Sequence, residues 1–474
     1  MDETKGSKIL AAAGALNLPE ALESLITTSR TSDGRLNLGT LGVVEETLHL
    51  IPTVKTCDRL VGILCLKLLR NLCAGNSANQ ECFIRLNGVV IVCQIITAEE
   101  HERDPEIVRT GLQVLANVSH AGEMHKRAVW PEIVSHGVLV LRRLRMKKIC
   151  DPLCRILFSC IDGIPGLLEE LQNDLKFYEL LTEIFRIVSS VELEEDWLKH
   201  LLLKLCLDHC HFDRLFSSTR SFSEPSIGQF SSEQSCLLRL VSEILNDRLP
   251  EITVKVEFAL FVLEIFKASY ALHDSISASK SRLPTGQPDV DVLGYCLRIM
   301  RYICAAQDIS ASFNGDRVDV VEIMLANGLV ASLLSLLRHL EPPSTIRKAM
   351  KQSEDGDEGE LRLKVCPYRG FRCDVVAIIA NCCYGRQEVQ DEIRNKNGIL
   401  LLLQQCVTDE DNPYLREWGI WCLRNLLEKN EENQKIVAEL ELQSSIDVPE
   451  LAGLNLKVEI DELTRRAKLV NIPA

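Results

Sequence analysis

The chain has 474 residues, of which 46% are hydrophobic and only 5% aromatic, so its aliphatic side chains are numerous enough to bury an extended core of stacked helices. It carries 53 Lys and Arg residues against 67 Asp and Glu residues, a formal net charge of −14. Sequence-independent binding to nucleic-acid phosphates needs a basic surface. We therefore expect no nucleic-acid partner.

The 19 cysteines point to a reducing compartment. Most of them lie inside apolar helical runs, as Cys65, Cys93 and Cys382 do, where a free thiol behaves as a small buried hydrophobe. No stretch reaches the roughly 18 apolar residues that a membrane span requires, and the N-terminus does not read as a signal peptide. These features predict a cytosolic protein with free thiols and without a membrane span.

One pattern recurs along the chain: an asparagine inside an apolar helical segment, found at Asn71, Asn117, Asn381 and Asn425. The first two are 46 positions apart and the last two are 44 positions apart. Both spacings fall within the roughly 40–47 residue period of armadillo and HEAT repeats. The glutamines Gln80, Gln390 and Gln434 each follow an asparagine by nine positions. The pattern predicts an all-α protein, a right-handed α-solenoid of armadillo/HEAT-like repeats.

The N-terminal segment, residues 1–146, is predicted to hold armadillo-like repeats. Its clearest helix has a buried stripe through Val61, Cys65 and Leu72, at helical spacing. A second helix precedes Asn87 and Gly88, and there the glycine is expected to adopt the left-handed conformation of a helix C-cap.

Two further segments continue the helical period less clearly. Residues 147–300 predict degenerate helical repeats, interrupted by a serine-rich loop at 217–235 that has too few apolar residues to pack. Residues 301–365 predict one more repeat with an acidic insertion at 341–363. This insertion lacks EF-hand spacing and is interpreted as a solvated loop.

The C-terminal segment, residues 366–474, has the clearest repeats. Asn412 is expected to be the N-cap of a helix with Pro413 at its first position. After Pro449 the apolar period changes from helical to alternating, which predicts a small β-hairpin folded against the last helices. The side chains expected to be buried by this hairpin are Val458, Ile460, Leu469 and Ile472.

Several of these C-terminal stretches together resemble the ataxin-10 family. The stretches are 366–372 (CPYRGFR), the helix around Asn381, Val389-Gln390, 397–399 (NGI) and 411–418 (DNPYLREW). The N-terminal repeat from Cys65 to Gln80 resembles the family as well. The resemblance implies a cytosolic armadillo-repeat protein linked to cell survival, cytokinesis and development. It further implies action through protein partners, without known catalytic residues. We expect no cofactor.

The repeated asparagines are the first candidate binding residues. In armadillo proteins the asparagine of each third helix lines a concave groove and hydrogen-bonds an extended peptide, a role that suits an amide because it both donates and accepts. Asn71, Asn117, Asn381 and Asn425 match that position. The alternative is that these amides satisfy backbone groups between neighbouring repeats, and the sequence leaves both readings open.

Trp421, Arg70 and Arg424 complete the candidate partner-binding residues. Trp421 stands four positions before Asn425, the spacing with which importin-type proteins hold lysine stems, but the other three asparagines lack this tryptophan. Recognition of nuclear-import signals is therefore not expected. The two arginines directly precede an asparagine and either engage an acidic or phosphorylated segment or form salt bridges between repeats.

Other candidate sites have weaker support. Cys206, His209, Cys210 and His211 suggest zinc, but no second ligand pair stands at finger-like spacing, so no metal is expected. The basic run 142–148 is interpreted as a solvated helix face, with a nuclear-import signal or lipid contact as alternatives. No phosphate-binding glycine loop or nucleophile elbow is present in the sequence.

The sequence therefore predicts a non-catalytic interaction scaffold that binds other proteins through a concave groove or its C-terminal repeats. The alternative function is an armadillo-type guanine-nucleotide exchange regulator of a G protein. The sequence predicts neither the identity of the partners nor the oligomeric state.

Overall fold

A computed structural model describes most of the chain. The described residues are 17–54, 59–98, 104–190, 196–209, 211–220, 229–248, 251–271, 281–306, 319–351, 364–440, 456–460 and 467–471. They form two compact units, described separately below. The first unit comprises Met1–Ser269 and Gly286–Ile299, and the second comprises Tyr270–Thr285 and Met300–Ala474.

The first unit is built from helices that follow the predicted repeat. Its first eight helices are α1 (Leu18–Thr28), α2 (Ser32–Thr40), α3 (Val43–Val54), α4 (Arg59–Leu72), α5 (Ser77–Arg85), α6 (Gly88–Thr97), α7 (Pro105–Ser119) and α8 (Glu123–Leu144). They are followed by α9 (Lys147–Gly163), α10 (Leu167–Leu171), α11 (Leu175–Val188), α12 (Asp196–Leu202), the π-helix π1 (Leu203–Asp208), α13 (Phe212–Ser218), α14 (Ser232–Arg248) and α15 (Val256–Ala271).

Two helices contribute residues to both units: α15, whose last two residues belong to the second unit, and α16 (Pro288–Ala306). The helices after α16 are α17 (Val320–Ala326), α18 (Leu329–Arg338), α19 (Ser344–Lys351), α20 (Phe371–Cys383), α21 (Gln387–Asn395), α22 (Gly398–Leu403), α23 (Leu415–Leu427) and α24 (Glu431–Ala438). Two strands end the chain, β1 (Leu456–Ile460) and β2 (Ala467–Asn471).

One helix of each repeat stacks directly on its counterpart in the next repeat. In the first unit α1 packs on α4, α4 on α7, α7 on α9, and α9 on α12, and in the second unit α20 packs on α23. We call these helices the third helices. Their apolar stripes are fully buried, as Cys65, Leu68 and Leu72 in α4 illustrate. Stacking of like helices from successive repeats is the architecture of an all-α solenoid.

In two Asn-Gly pairs the left-handed backbone conformation belongs to the asparagine and not to the glycine. At the first pair Asn87, and not the glycine, has the left-handed conformation, with φ 54°. Gly88 instead begins α6, where a Cβ atom would lie 2.7 Å from the ring of Phe83. Asn397 and Gly398 repeat this division of roles. The prediction that Gly88 supplies the left-handed C-cap is wrong, because this glycine is needed for close packing.

The expected N-cap at Asn412 is also wrong. Helix α23 begins at Leu415, and Tyr414 precedes it with φ 66°. Asn412 is buried, and its Oδ1 accepts a hydrogen bond of 2.9 Å from the backbone N–H of Arg372. The amide therefore joins α20 to the loop before α23, and long-range pairing has replaced the local cap.

Two predicted loops are shorter than expected. Ser217 and Ser218 belong to α13, and Ser232 to Ser235 belong to α14, so the serine-rich loop does not span 217–235. The start of the predicted acidic loop is helical, because α19 covers Ser344–Lys351. The acidic residues at 354–360 lie outside the described residues.

The two terminal strands pair antiparallel, with Val458 opposite Leu469. Residues 461–466 between them, and the side chains of both strands, lie outside what the structure describes. The packing of this segment on the last helices, and the burial of Val458, Ile460, Leu469 and Ile472, stay predictions.

Candidate functional site: the third-helix face

The repeated asparagines tie each third helix to the one before it. Asn117 Nδ2 donates a hydrogen bond of 2.9 Å to the carbonyl of Arg70, the residue preceding Asn71. In the second unit Asn425 Nδ2 donates at 2.9 Å to the carbonyl of Ala380, the residue preceding Asn381. The same position is therefore joined in the same way in both units, which explains the period of the asparagines.

The other two asparagines make longer bonds of the same kind. Asn71 Nδ2 lies 3.3 Å from the carbonyl of Ile26 in α1 and 3.1 Å from Ser29 Oγ. Asn381 Nδ2 lies 3.5 Å from the carbonyl of Arg301 in α16. All four amides thus donate to an earlier layer, as the internal-tie alternative predicts. Contact between these asparagines and a partner stays a prediction.

The repeated glutamines have a structural role that sequence reasoning missed. Gln80 Nε2 donates to the carbonyl of Cys73, at the end of its own third helix, and to that of Asn117 in the next one. Gln390 makes equivalent bonds, of 3.4 Å to Cys383 and 2.8 Å to Asn425. A helix leaves its last four carbonyls without intrahelical donors, and these amides supply them. The nine-residue spacing was the signal for this role.

Beside the ties, successive third helices of the first unit expose polar side chains on one side. Arg70 is half-buried, and its Nη1 donates a hydrogen bond of 3.1 Å to Gln113 Oε1 of α7. Arg109, one turn before Gln113, is exposed. Burial lowers the pKa of Arg70, and the positive charge of Arg109 adds to this effect. The two guanidinium groups are therefore close enough to repel each other.

The same arrangement continues on α9 and α12. The guanidinium carbon of Arg155 lies 5.6 Å from the ring centroid of Trp197, a cation–π geometry. Phe158 and His200 complete an aromatic group, with ring centroids 5.8 Å and 5.6 Å from that of Trp197. We use the term third-helix face for this surface, which consists of Arg70, Asn71, Arg109, Gln113, Asn117, Asp151, Arg155, Phe158, Asp196, Trp197 and His200.

The second unit places Trp421 and Arg424 together at the surface of α23. The Trp421 side chain is 49% exposed, and the guanidinium carbon of Arg424 lies 5.1 Å from its ring centroid. Asn425 lies on the buried side of the same helix and is only 3% exposed. The tryptophan and the asparagine therefore do not share one exposed surface, and Trp421 with Arg424 is the pair accessible to a partner.

A polar cluster in the second unit was not foreseen. Asp374 on α20 accepts a hydrogen bond of 2.8 Å from the Tyr368 hydroxyl and forms an ion pair of 2.7 Å with Arg301. Arg372 is 3% exposed, and its Nη1 donates to Gln405 Oε1. These bonds connect the segment 366–372 to α16, α20 and the end of α22. The cluster is a structural joint, since its polar groups are turned into the protein.

The residues considered for zinc have other surroundings. Cys206 is buried, and this burial raises the pKa of its thiol. His211 Nδ1 lies 3.0 Å from the Tyr178 hydroxyl, and Cys210 lies outside the described residues. Among the residues that the structure describes, no three His, Cys, Asp or Glu side chains are grouped as metal ligands.

Two arginines of the basic run 142–148 make contacts within the protein. Arg142 forms ion pairs of 2.6 Å with Glu179 and 2.7 Å with Glu183, and Arg143 donates to the carbonyl of Thr97 at the end of α6. These contacts join α8 to α11 and α6.

In the described part of the chain, no single helix combines the length and apolarity needed to cross a membrane. Two bent helix pairs meet those criteria by length and composition only.

Comparison with known proteins places these features in a family. Residues 371–469 match the family model described as the spinocerebellar ataxia type 10 protein domain. Ataxin-10 of Xenopus tropicalis is 22% identical over 407 residues, covering 83% of this chain and 78% of its own length. These matches support assignment of this chain to the ataxin-10 family. The ataxin-10 homolog of Dictyostelium discoideum is 36% identical over 105 residues, covering 22% of this chain and 17% of its own.

The ataxin-10 match includes the elements that the C-terminal repeats use for stacking. It begins at the first residue of α20 and extends past α23 and α24 into β2. A designed armadillo repeat protein superposes with a TM-score of 0.37 at 11% identity, covering 50% of this chain and 98% of its own.

Proposed function

We propose that this ataxin-10 family member is a non-catalytic scaffold that holds other proteins on its exposed third-helix face or on its C-terminal repeats. The observation that carries this proposal is the use of each asparagine amide as a tie between layers. In the first unit these ties join α1 to α4 and α4 to α7, and α9 and α12 stack next in the same series, so that side chains from α4, α7, α9 and α12 form one surface. A rigid surface of this length suits a segment of a partner protein.

We further propose a cytosolic location and a role in cell survival, cytokinesis and development. Family membership and the many buried thiols support this context. The side chains of the third-helix face are already bonded to one another in pairs, such as Arg70 with Gln113 and Arg155 with Trp197. Such preorganisation suits recognition, because little side-chain entropy is lost on binding.

A site-specific photo-crosslinking experiment tests the scaffold proposal. A photoreactive amino acid replaces Gln113 on the third-helix face, and in a matched variant it replaces Arg127, which is exposed on α8, outside the third helices. The expected result in cells is crosslinking to a defined set of proteins from position 113 and much less from position 127. Equal or absent crosslinking at the two positions contradicts a role for the third-helix face.

The same experiment separates a scaffold from an exchange regulator. If a G protein is among the crosslinked partners, its nucleotide release is measured with and without this chain. A passive scaffold leaves the release rate unchanged. Acceleration of release rejects the scaffold function in favour of guanine-nucleotide exchange.

A further inference from the structure

In the part of the chain that the structure describes, three arginines on three consecutive third helices form no ion pair. They are Arg70 on α4, Arg109 on α7 and Arg155 on α9. Among the described residues, none of them has a carboxylate oxygen within the 4.0 Å of an ion pair. Lys67, one turn before Arg70 on α4, differs from them because it forms an ion pair of 2.7 Å with Glu106.

Two of the three guanidinium groups, those of Arg70 and Arg155, are held without being neutralised. Arg70 donates to neutral amide oxygens, those of Asn71 and Gln113. Arg155 lies over the ring of Trp197, which orients the guanidinium plane but leaves its N–H groups available. A planar guanidinium with free donors is the side chain best suited to bind a carboxylate through two hydrogen bonds.

Two acidic side chains face this row, Asp151 on α9 and Asp196 on α12. Burial raises the pKa of the Asp151 carboxyl. The positive charges of Arg155 and Arg109 oppose this rise, and the negative charge of Asp196 adds to it. Together the three arginines and these two carboxylates carry one net positive formal charge. The surface is locally cationic in a chain of net charge −14, and it is too weakly basic for the phosphate backbone of a nucleic acid.

We propose that the row formed by Arg70, Arg109 and Arg155 binds an extended acidic peptide segment of a partner protein. This inference rests on the proposed scaffold function and specifies the chemistry of the partner. Packed helices lie roughly 8–10 Å apart, and an extended chain advances about 3.3 Å per residue. Carboxylates at about every third residue therefore match arginines on successive third helices.

The test uses fluorescein-labelled peptides of twelve residues and fluorescence anisotropy on the full chain. The first probe has glutamate at every third position in a Gly-Ser background, and the second has lysine at those positions. The expected result is binding of the glutamate peptide and not of the lysine peptide. A third probe, single-stranded DNA of twelve nucleotides, is expected to bind more weakly than the glutamate peptide.

Variants locate the binding to the row. In Arg70→Gln/Arg109→Gln/Arg155→Gln the affinity for the glutamate peptide is expected to fall at least about tenfold, since each exposed ion pair contributes up to roughly fivefold. The control Arg30→Gln/Arg85→Gln/Arg127→Gln removes the same charge from exposed arginines outside the third helices. It is expected to change the affinity by less than about twofold.

The single variant Arg109→Gln shows whether a loss of binding occurs without misfolding of the protein. Arg109 is exposed and makes no hydrogen bond or ion pair to a described residue, so its replacement leaves the fold intact. It is expected to weaken binding about two- to fivefold. No binding of the glutamate peptide, equal losses in row and control variants, or DNA binding as tight as peptide binding would each overturn the proposal. Partner crosslinking at position 113 without peptide binding would reject the acidic segment and leave the scaffold function standing.

Discussion

Replacement of Asn425 by alanine is expected to destabilise the second unit selectively. The Asn425 side chain is 3% exposed, and its bond to the Ala380 carbonyl measures 2.9 Å. Because α20 ends at Cys383, Ala380 is one of the last four residues, whose carbonyls lack intrahelical donors. Leaving this buried carbonyl unsatisfied costs about 1–3 kcal/mol. For a unit of this size the melting temperature should fall about 2–4 °C for each kcal/mol lost.

Asn381→Ala is the matched control for this prediction. Its amide is half-buried and lies 3.5 Å from the Arg301 carbonyl, at the limit of a hydrogen bond. The expected loss for this variant is about 0.5 kcal/mol or less. A second variant, Asn425→Asp, keeps the shape of the side chain but replaces the donor by an acceptor. It should destabilise the unit at least as much as alanine does.

Hydrogen exchange measured by mass spectrometry suits this comparison, because a chain with two units does not unfold in one step. In Asn425→Ala the amides of α20 and α23 should exchange faster under native conditions, while those of α4 and α7 remain unchanged. If exchange in α20 and α23 is no faster than in Asn381→Ala, the asparagine is not a structural tie.

Three further predictions follow from packing and burial. Gly88→Ala places a Cβ atom 2.7 Å from the Phe83 ring and should lower the free energy of unfolding by about 1–3 kcal/mol, measured by thermal unfolding. Gly122→Ala has open space around its Cβ atom and should cost under about 0.5 kcal/mol. Equal losses in the two variants would contradict the packing role of Gly88. Arg386→Gln removes a buried guanidinium that pairs with Asp319 at 3.1 Å and with Glu322 at 2.8 Å, and it should cost about 1–3 kcal/mol. An unchanged urea midpoint would refute this. Alkylation of the denatured, unreduced protein should label all 19 cysteines, and protected pairs would contradict a reducing compartment.

Regularly recurring patterns were predicted most successfully from the sequence. The apolar stripes, the repeat length and the positions of Asn71, Asn117, Asn381 and Asn425 defined stacked helices, because burial of one helix face follows directly from residue spacing. The family resemblance of the C-terminal repeats was confirmed by the match over residues 371–469.

The predictions that failed depend on contacts far apart in the chain. Asn412 has the local signal of an N-cap, but its oxygen accepts from the N–H of Arg372, 40 positions away. Gly88 has the local signal of a turn, but the nearby ring of Phe83 determines why it must be glycine. The grouping of Arg70, Arg109 and Arg155 was not predicted either. Helix stacking brings these arginines together, and their spacing in the sequence does not indicate that they are neighbours.

The most direct test of the central claim is recovery of partners by chains with altered third-helix faces. Wild type, the triple variant of Arg70, Arg109 and Arg155, and the control variant of Arg30, Arg85 and Arg127 are expressed at equal levels, and co-purifying proteins are quantified by mass spectrometry. The scaffold account predicts that partners which crosslink to position 113 are recovered with wild type and control but depleted at least about fivefold with the row variant. Equal recovery of those partners with all three proteins would contradict binding through the third-helix face.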